Sequence, residues 1–299
     1  MFEARLVEGI ILKHIIESIK DLVQDANIEC SEEEVAIQCM DSSHVSLVSV
    51  SLSAAAFDHY RCDRQINLGF NSANMSKILK MMGKKDIVIL KAEDDGDTLT
   101  MMFESDNSGT IADFGKHCFL RFSYLLIYLI VSYVFANKTL LAPLLLNDTE
   151  LKLMEIDAEQ LGIPDTPYKS TIKMPAEEFQ RIVRDLQVLG DTCTIACTKE
   201  GIRFSVSGNI GTGNILTRAN AASDDEKNQV VIDMEEPVEL NFALRYLAFF
   251  TKATPLSGSV IISMSPDVPV VIEYPIGEVG HIKFYLAPKI EEDGDGAQE

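Results

Sequence analysis

Apolar residues recur at helical spacing in four short stretches of the chain. In residues 9–23, Ile11, Ile15, Ile19 and Leu22 fall on one stripe, which is the pattern of an amphipathic helix. The same spacing returns in residues 71–82, 175–189 and 243–253. Pro175 and the acidic residues after it suit the start of a helix. The pattern therefore predicts four helices.

Short runs of strand character fill most of the sequence between these helices. They are VAIQCM, HVSLVSVSL, INLGF, DIVILKAE, TLTMMFE and STIKM. The segment EDDGDT at residues 93–98 contains Asp-Gly, a turn signal, between two of the runs. The segment SGNIGTGN at residues 207–214 likewise predicts a hairpin. The sequence thus predicts many short strands joined by turns.

The order of elements repeats after residue 170. One constant shift along the chain superposes Ile15 on Ile182, Leu22 on Leu189, Cys30 on Cys197 and Val35 on Ile202. A slightly larger shift superposes Phe70 on Phe242 and Lys80 on Lys252. The simplest account is an internal duplication that yields two similar domains of α+β class. The stretch from Leu151 to Ser170 contains Gly162, Pro164 and Pro167 and is interpreted as an extended connector.

The composition and the net charge restrict the classes of function that fit this sequence. The hydrophobic fraction of 46% supports well-filled cores, and the net charge of −20 argues against a surface that binds nucleic acid everywhere. The N-terminus shows neither a signal peptide nor a transit peptide, which indicates a protein kept inside the cell. The six cysteines form no CxxC pair and are interpreted as reduced, mostly buried thiols. Residues 291–299 form an acidic tail that is too polar to pack.

Basic residues nevertheless collect in pairs on the four predicted helices. Each pair has a spacing of three or seven residues, which places both members on one helical face. A shared side of these helices would hold phosphates by sequence-independent contacts. The alternative is an ordinary solvated face, because Glu17, Glu177, Glu178 and Asp185 lie on the same helices. The pairs are Lys13 and Lys20, Lys77 and Lys80, Arg181 and Arg184, and Arg245 and Lys252.

The sequence matches no catalytic or cofactor-binding motif that we tested. Gly208, Gly211 and Gly213 match neither GxGxxG nor a Walker loop. The carboxylates around Asp94 suggest a metal loop, but the later ligand positions of an EF-hand are missing. A metal-dependent hydrolase therefore ranks far below a binding protein. We expect no enzyme activity, no cofactor and no metal.

Several long motifs in the right order resemble one family. They are MDSSHVSLV at 40–48, FDHYRCDR at 57–64, MSKILK at 75–80, LGIP at 161–164, FALRYL at 242–247, FFTKATPLS at 249–257 and GHIKFYLAPKIEE at 280–292. In these segments the chain resembles the proliferating cell nuclear antigen (PCNA) family, the eukaryotic DNA sliding clamps. The resemblance covers nearly all of 1–114 and of 150–292.

The resemblance to this family implies a fold, an oligomeric state and a nucleic-acid ligand. It implies two clamp domains, with antiparallel sheets outside and helices lining the inner face. It implies a nuclear homotrimer that encircles duplex DNA, a clamp loader that places it there, and a role in DNA replication and repair. His14 and Val188 stand where the family usually has ionisable residues. The implied phosphate contacts are Lys13, Lys20, Lys77, Lys80, Arg181, Arg184 and Lys252.

The resemblance also implies a pocket on the outer surface that binds DNA polymerase and other PIP-box proteins. A short peptide with aromatic and aliphatic anchors fits an apolar pocket of this kind. Met40, Val45 and Leu47 could equally be ordinary strand packing. Lys199 matches the ubiquitin-acceptor lysine of the family. The implied pocket residues are Met40, His44, Val45, Leu47, Leu161, Ile163, Pro164, Asp267, Val268, Pro269, Tyr285, Leu286, Ala287, Pro288, Lys289 and Ile290.

Residues 115–149 depart from the family pattern, which runs from IADF directly into ELKLMEID. We expect clamp domain 1 at 1–114, an apolar insertion at 115–149, the end of domain 1 and the connector at 150–170, and domain 2 at 171–290. A retained intron is our preferred explanation, because Gly115-Lys116 and Thr149-Glu150 can encode splice signals. The alternative is a membrane-tethered or trimerisation-defective form. The uncharged stretch Phe122 to Asn137 is shorter than the about 20 residues that span a bilayer.

Overall fold

A computed structural model of the protein describes residues 1–94, 96–105, 145–156, 161–162, 167–220 and 229–289. Within these ranges the chain forms two domains with the same order of elements. Each domain has a strand, a helix, five strands, a second helix and three strands. The predicted α+β duplication is thereby confirmed.

The bounds of the elements are as follows. In the first domain they are β1 Phe2–Leu6, α1 Ile10–Ile19, β2 Asp25–Cys30, β3 Glu34–Met40, β4 Ser46–Ser53, β5 His59–Cys62, β6 Ile66–Asn71, α2 Ser72–Leu79, β7 Ile87–Ala92, β8 Thr98–Ser105 and β9 Leu145–Lys152. In the second they are β10 Ser170–Pro175, α3 Ala176–Gln187, β11 Thr192–Thr198, β12 Gly201–Gly208, β13 Gly211–Thr217, β14 Val231–Met234, β15 Val238–Ala243, α4 Leu244–Phe250, β16 Ser259–Met264, β17 Val270–Ile276 and β18 Gly280–Leu286. Two 3₁₀ turns occupy Ala54–Ala56 and Thr251–Leu256.

The helices form where the apolar stripe predicted them, but each is shorter than the stripe. Helix α1 ends at Ile19 because the backbone N–H groups of Leu22 and Val23 both turn back to the Ile19 carbonyl at 2.9 Å. Helix α2 begins after Asn71, whose side chain accepts a hydrogen bond from the Asn74 N–H at 3.1 Å. That contact satisfies a backbone donor at the start of the helix. The stripe therefore located the helices, and local hydrogen bonds mark the end of α1 and the start of α2.

One sheet runs through both domains. Its nine strands follow the order β14-β10-β16-β17-β18-β4-β3-β2-β6, and the pairing of β18 with β4 joins the domains. In this pairing Phe284 lies opposite Val48, and both side chains are buried. A five-stranded sheet, β5-β1-β7-β8-β9, and a four-stranded sheet, β13-β12-β11-β15, complete the domains. All the strand pairings among the described residues are antiparallel.

The helices form a layer across the sheets. Helix α1 contacts α2, α3 contacts α4, and α1 also contacts the 3₁₀ turn Thr251–Leu256 that follows α4. Helix α3 buries Phe179, Ile182, Val183 and Leu186 against the strands. The layer brings all four helices of the described residues together.

Strand β9 contains the end of the segment expected to be inserted. Residues 145–149 form its first part, and the strand pairs along its whole length with β8, from Ser105 opposite Leu145 to Thr98 opposite Lys152. The chain then runs beside β6, where the Met154 N–H donates to the Gly69 carbonyl at 3.0 Å. A Cβ at Gly69 would lie 2.0 Å from the Met154 oxygen. Only glycine therefore allows the connector to approach β6.

The remaining predictions about residues 115–149 concern 115–144, which lie outside the described residues. Among the residues that are described, no helix is long and apolar enough to cross a membrane. The predicted hairpin at residues 207–214 is confirmed as the turn between β12 and β13. The cysteines in the described part are free, as predicted, with Cys39 half-buried and Cys30, Cys62, Cys193 and Cys197 buried.

Candidate functional site

Four basic residues on or directly after α2 and on α3 have side chains that reach solvent. Lys77 on α2 and Lys80, which follows it, are exposed, and Lys77 Nζ donates to Asn74 Oδ1 at 3.5 Å. Arg181 and Arg184 on α3 lie near carboxylates of the same helix, at 3.8 Å from Glu178 and 3.3 Å from Asp185. Because these pairs are exposed, solvent screens them strongly and the guanidinium groups stay accessible to a phosphate.

The other expected phosphate contacts already have partners within the chain. Lys13 Nζ donates to the Met82 carbonyl at 3.2 Å, and Lys20 Nζ lies 3.4 Å from Ser76 Oγ. The first bond ties α1 to the turn after α2, and the second ties the residue after α1 to α2. Lys252 Nζ lies 2.6 Å from Asp21 Oδ2 and 4.9 Å from the Phe249 ring centroid. These three lysines therefore combine positive charge with a structural contact.

Two positions on the helical face carry no full positive charge. Burial, followed by the nearby Lys13 cation, lowers the pKa of His14 from its ordinary value, and Glu17 opposes this shift. His14 is thus neutral near pH 7. Val188 follows α3 and is 70% exposed. Arg245 lies on α4, and its guanidinium carbon is 4.8 Å from the Tyr246 ring centroid, a cation–π distance.

An apolar pocket of about 280 Å³ opens at the junction of β4, β18 and the connector. Its walls are mostly aliphatic and aromatic, with one histidine and one serine. Such a lining suits apolar anchors of a peptide. The lining residues are Met40, His44, Val45, Ser46, Leu47, Leu161, Gly162, Tyr168, Val268, Pro269, Tyr285 and Ala287.

Asp41 holds the loop at the rim of the pocket. Its carboxylate accepts hydrogen bonds from the N–H groups of Val45 at 2.8 Å and Ser46 at 2.7 Å. It also accepts from the Ser43 N–H at 3.0 Å and the Tyr246 hydroxyl at 2.9 Å. Burial disfavours the charged form, but these hydrogen bonds outweigh it and lower the pKa of Asp41. The loop places His44 in the left-handed region, with φ 54°.

The connector is fixed to the pocket by two amide side chains. Gln38 Nε2 donates to the Leu161 carbonyl at 3.0 Å, and the Leu161 N–H donates to Gln38 Oε1 at 2.9 Å. Asn27 Nδ2 donates to the Ile156 carbonyl at 3.0 Å. A second cavity of about 430 Å³ lies beside this attachment and shares Met40, His44, Leu47 and Leu161 with the first.

Some expected pocket residues lie elsewhere. Leu286 is fully buried, because successive strand residues point to opposite faces and Leu286 shares the inner face with Phe284. The expectation that it lines the pocket is wrong. Lys289 extends away from the pocket, and its Nζ contacts Thr192 Oγ1 at 2.5 Å. Asp267 is an exposed turn residue with φ 63°, and Pro288 is half-buried just beyond the wall residue Ala287.

Three expected pocket residues, Ile163, Pro164 and Ile290, lie outside the described part of the chain. The structure also brings in residues that the sequence did not single out, above all Tyr168 and Gln38. An aromatic residue at the end of a connector is a weak sequence signal. The role of Gln38 had no sequence signal, because its partner Leu161 is far away along the chain.

The remaining candidate residues, Asp94 and Lys199, lie in turns between strands. Asp94 lies in the turn between β7 and β8, and within the described residues no group of three His, Cys, Asp or Glu side chains could hold a metal ion. The described part of EDDGDT thus belongs to a hairpin. Lys199 is exposed in the turn between β11 and β12.

Two domains of one topology, a sheet that joins them and a helical layer on one side define the class of DNA clamps. Two family models match the chain: the N-terminal domain of proliferating cell nuclear antigen over residues 1–120, and its C-terminal domain over residues 162–289. The chain belongs to the proliferating cell nuclear antigen family of DNA sliding clamps. Members of this family act on DNA as non-catalytic scaffolds.

Proposed function

We propose that this chain assembles head-to-tail into a three-membered ring around duplex DNA and holds partner enzymes there. The observation that carries the proposal is the repetition of the fold. Inside the chain, β4 of one domain pairs with β18 of the other. In the opposite domains, β13 corresponds to β4 and β9 corresponds to β18. Among the described strands, β9 and β13 are both sheet edges, so each is available to the complementary edge of another copy.

Two different edge strands favour a head-to-tail assembly, in which every contact between copies joins the same pair of unlike edges. A strand edge presents unpaired backbone donors and acceptors that another strand can satisfy. Pairing β9 of one copy with β13 of the next is a heterologous contact, which either closes into a ring or continues as a filament. Family membership supports closure, and three copies of two domains is the count that the resemblance implies.

The helical layer supports DNA as the occupant of the ring. Exposed Lys77, Lys80, Arg181 and Arg184 carry charge on a chain whose net charge is −20. Contacts of lysine and arginine with phosphate are sequence-independent and exchange readily, which permits sliding. Duplex DNA and a nuclear location follow from this role, as does a loader that opens the ring.

The apolar pocket supports short peptides of DNA polymerase and other PIP-box proteins as partners. Its lining by Val45, Leu47, Val268, Pro269 and Tyr285 offers a site for one aromatic and one or two aliphatic anchors. Tethering through the pocket raises the local concentration of the partner at DNA. The exposed turn that carries Lys199 supports this lysine as a ubiquitin acceptor.

Topological retention tests the proposal. The full chain is loaded by a clamp loader and ATP onto nicked circular DNA and then challenged with high salt. We expect it to stay on the closed circle and to leave after the circle is cut, because an encircling protein escapes only at an end. Equal loss from circular and linear DNA would show that the chain binds DNA without encircling it.

A second candidate is the trimerisation-defective form. The observation that favours it is the composition of β9, whose first five residues come from the expected insertion. Sedimentation of the chain and of a version that lacks residues 115–149 gives the mass of each assembly, and this mass distinguishes the ring-forming candidate from the trimerisation-defective one. A trimer only for the shortened version would support the defective form.

A further inference from the structure

A groove between the two domains lies far from the peptide pocket. It has a volume of about 440 Å³, and its walls are the β1–α1 turn, the two 3₁₀ turns and the β17–β18 turn. Val279 lines it just before β18 begins, whereas Tyr285 of the peptide pocket lies near the other end of that strand. The two positions are about 20 Å apart along an extended chain. This interdomain groove is therefore a separate site.

The walls of the interdomain groove are mostly apolar and open to solvent. Val7 is 48% exposed, and Ile11, Leu256 and Val279 are half-buried. Both domains contribute to this surface, and the backbone N–H of Ser53 holds the wall at Val279 by a hydrogen bond of 2.9 Å to its carbonyl. Apolar side chains that are grouped in an open groove are typical of a surface that another segment covers.

The rim of the interdomain groove is acidic. Glu8 and Glu278 are exposed and line the groove from opposite domains. His14 is the other titratable lining residue, and burial, followed by the Lys13 cation, lowers its pKa, so it adds no positive charge near pH 7. The complementary occupant is a segment with apolar side chains and a few cations, but without carboxylates.

The chain itself contains a segment of this composition. Residues 115–144 include the cations Lys116, Arg121 and Lys138 but no aspartate or glutamate, and the run from Phe119 to Ala136 is largely aliphatic and aromatic. These residues lie outside the described part of the chain. Their composition matches both the apolar walls and the acidic rim of the interdomain groove.

This segment leaves and re-enters the described part of the chain at one place, which Arg5 connects to the groove walls. Ser105 and Leu145, the last and first described residues around it, are paired in the sheet. Next to Ser105, Glu104 accepts a hydrogen bond of 2.9 Å from Arg5 Nη2. Arg5 Nη1 also donates to Asp58 Oδ2 at 2.7 Å. The β1–α1 turn follows Arg5, and the first 3₁₀ turn precedes Asp58, so both walls begin close to the exit point.

The distance from the exit point to the groove is short. Leu6, which lines the groove, pairs with Val88, and Val88 pairs with Phe103. Two strand spacings therefore separate the groove wall from β8, which is about 10 Å. An extended chain covers this distance in about three residues. Residues 106–144 are thus long enough for the apolar run to reach the groove from either end.

We propose that residues 115–144 turn back onto their own chain and occupy the interdomain groove. Their apolar side chains contact Val7, Ile11 and Leu256, and their cations face Glu8 and Glu278. The occupant is therefore part of the same molecule, and the peptide pocket at the other end of β18 stays open. This inference goes beyond the proposed ring, because it requires only a single chain.

Photo-crosslinking of the full chain tests the proposal. The photoreactive residue p-benzoylphenylalanine replaces Val7, and mass spectrometry identifies the captured peptide after irradiation and digestion. We expect the main product to join position 7 to a peptide from residues 115–144. An equal mixture of ¹⁵N-labelled and unlabelled chains shows whether both peptides come from one molecule. The matched control places the same residue at Ile210, which is 77% exposed in the β12–β13 turn and should not capture this segment.

Limited proteolysis with chymotrypsin provides a second measurement. This protease cleaves after the aromatic and leucine residues between Phe119 and Phe135. We expect Val7→Lys to speed cleavage there about fivefold, because it removes part of the apolar contact and adds a cation that repels those of the segment. Ile210→Lys makes the same change at an exposed apolar position of the second domain and should leave the rate unchanged.

The outcomes separate this inference from the proposed ring. Mixed-isotope crosslinks would show that the groove is a contact between copies and would overturn the inference. Failure of position 7 to capture residues 115–144, or equal capture from position 210, would also overturn it. Equal cleavage rates in the parent chain and Val7→Lys would count against it in the same way. The ring is judged separately by retention on circular DNA, which none of these results changes.

Discussion

The hydroxyl of Tyr246 donates a hydrogen bond to Asp41 Oδ2 over 2.9 Å, and this bond ties helix α4 to the rim of the apolar pocket. Asp41 in turn holds the N–H groups of Ser43, Val45 and Ser46. The pocket wall at Val45 therefore depends on a residue of the second domain. The helical layer and the outer pocket share one buried polar group.

Removal of this hydroxyl should weaken peptide binding. We expect Tyr246→Phe to lower the free energy of unfolding by about 1–3 kcal/mol, since a buried carboxylate loses one donor. A fluorescent peptide with an aromatic and two aliphatic anchors should bind several-fold more weakly, because the loop that carries His44 and Val45 becomes less fixed. Urea unfolding and fluorescence anisotropy measure the two effects.

Tyr60→Phe is the control for Tyr246→Phe. The Tyr60 hydroxyl donates to the carbonyls of Ser31 and Glu34 at 2.5 and 3.0 Å, and neither residue lines the pocket. This variant should lose stability and keep its affinity for the peptide. Unchanged peptide affinity in Tyr246→Phe would show that Asp41 holds the loop without the tyrosine.

The attachment of the connector by Gln38 gives a second prediction. Gln38→Leu keeps the size of the side chain but removes both hydrogen bonds to the Leu161 backbone. Leu161 is part of the pocket wall, so we expect the same peptide to bind about three- to tenfold more weakly, which corresponds to about 1 kcal/mol for the lost hydrogen bonds. Isothermal titration calorimetry measures the change.

Gln180→Leu provides the comparison for Gln38→Leu. The Gln180 amide donates to the Thr251 carbonyl at 3.0 Å, so the variant breaks a glutamine-to-backbone bond on the helical side of the molecule. Its affinity for the peptide should match that of the parent chain. A normal affinity in Gln38→Leu would mean that the pocket wall does not need this attachment.

Charge reversal on the helical layer should weaken DNA binding in a salt-dependent way. We expect Lys80→Glu or Arg184→Glu to lower affinity for duplex DNA at low salt. Each should reduce the slope of log affinity against log salt by about 1, as expected for one lost phosphate contact. Filter binding or anisotropy over a salt series provides the slope.

Arg203→Glu makes the same charge change on β12, away from the helical layer. Arg203 is exposed next to buried Ile202 and Phe204, and its side chain therefore points to the outer face of the sheet. We expect it to leave the salt slope unchanged. An equal loss in all three variants would indicate that net charge, and not the helical face, governs binding.

Two half-buried histidines should make stability fall in mild acid. Burial is the largest cause that lowers the pKa of His14 and of His281 below the ordinary 6.5; Lys13 and Lys283 lower them further, and nearby glutamates oppose the shift. The unfolded chain then binds protons more strongly than the folded one. The free energy of unfolding should therefore decrease as the pH falls through 6.5 toward the lowered values.

The double variant His14→Gln, His281→Gln isolates this contribution. Urea unfolding of the parent chain and the variant at about pH 7.5 and about pH 5 gives the difference. We expect the variant to lose less stability between the two conditions than the parent. Parallel losses would assign the acid sensitivity to other groups.

Local patterns predicted much of the fold. The apolar stripe located α1 and α3, and the repeat with its two shifts predicted the paired domains. The stripe depends on neighbours a few residues apart, and the repeat compares the order of such local patterns between the two halves, so neither signal requires knowledge of a long-range contact. The sequence also indicated which face of β18 Leu286 occupies. In GHIKFYL it alternates with Tyr285, so the two side chains lie on opposite faces of the strand.

The sequence by itself determined where the four helices and several of the strands lie, that two domains repeat one order of elements, and which helices carry the basic residues. Only the tertiary structure decided that β18 pairs with β4, that Gln38 holds Leu161, and that Tyr246 reaches Asp41. The physical reason is distance along the chain. Each of these contacts joins residues that are remote in sequence, so its partner is chosen by the packing of whole sheets and not by any local pattern.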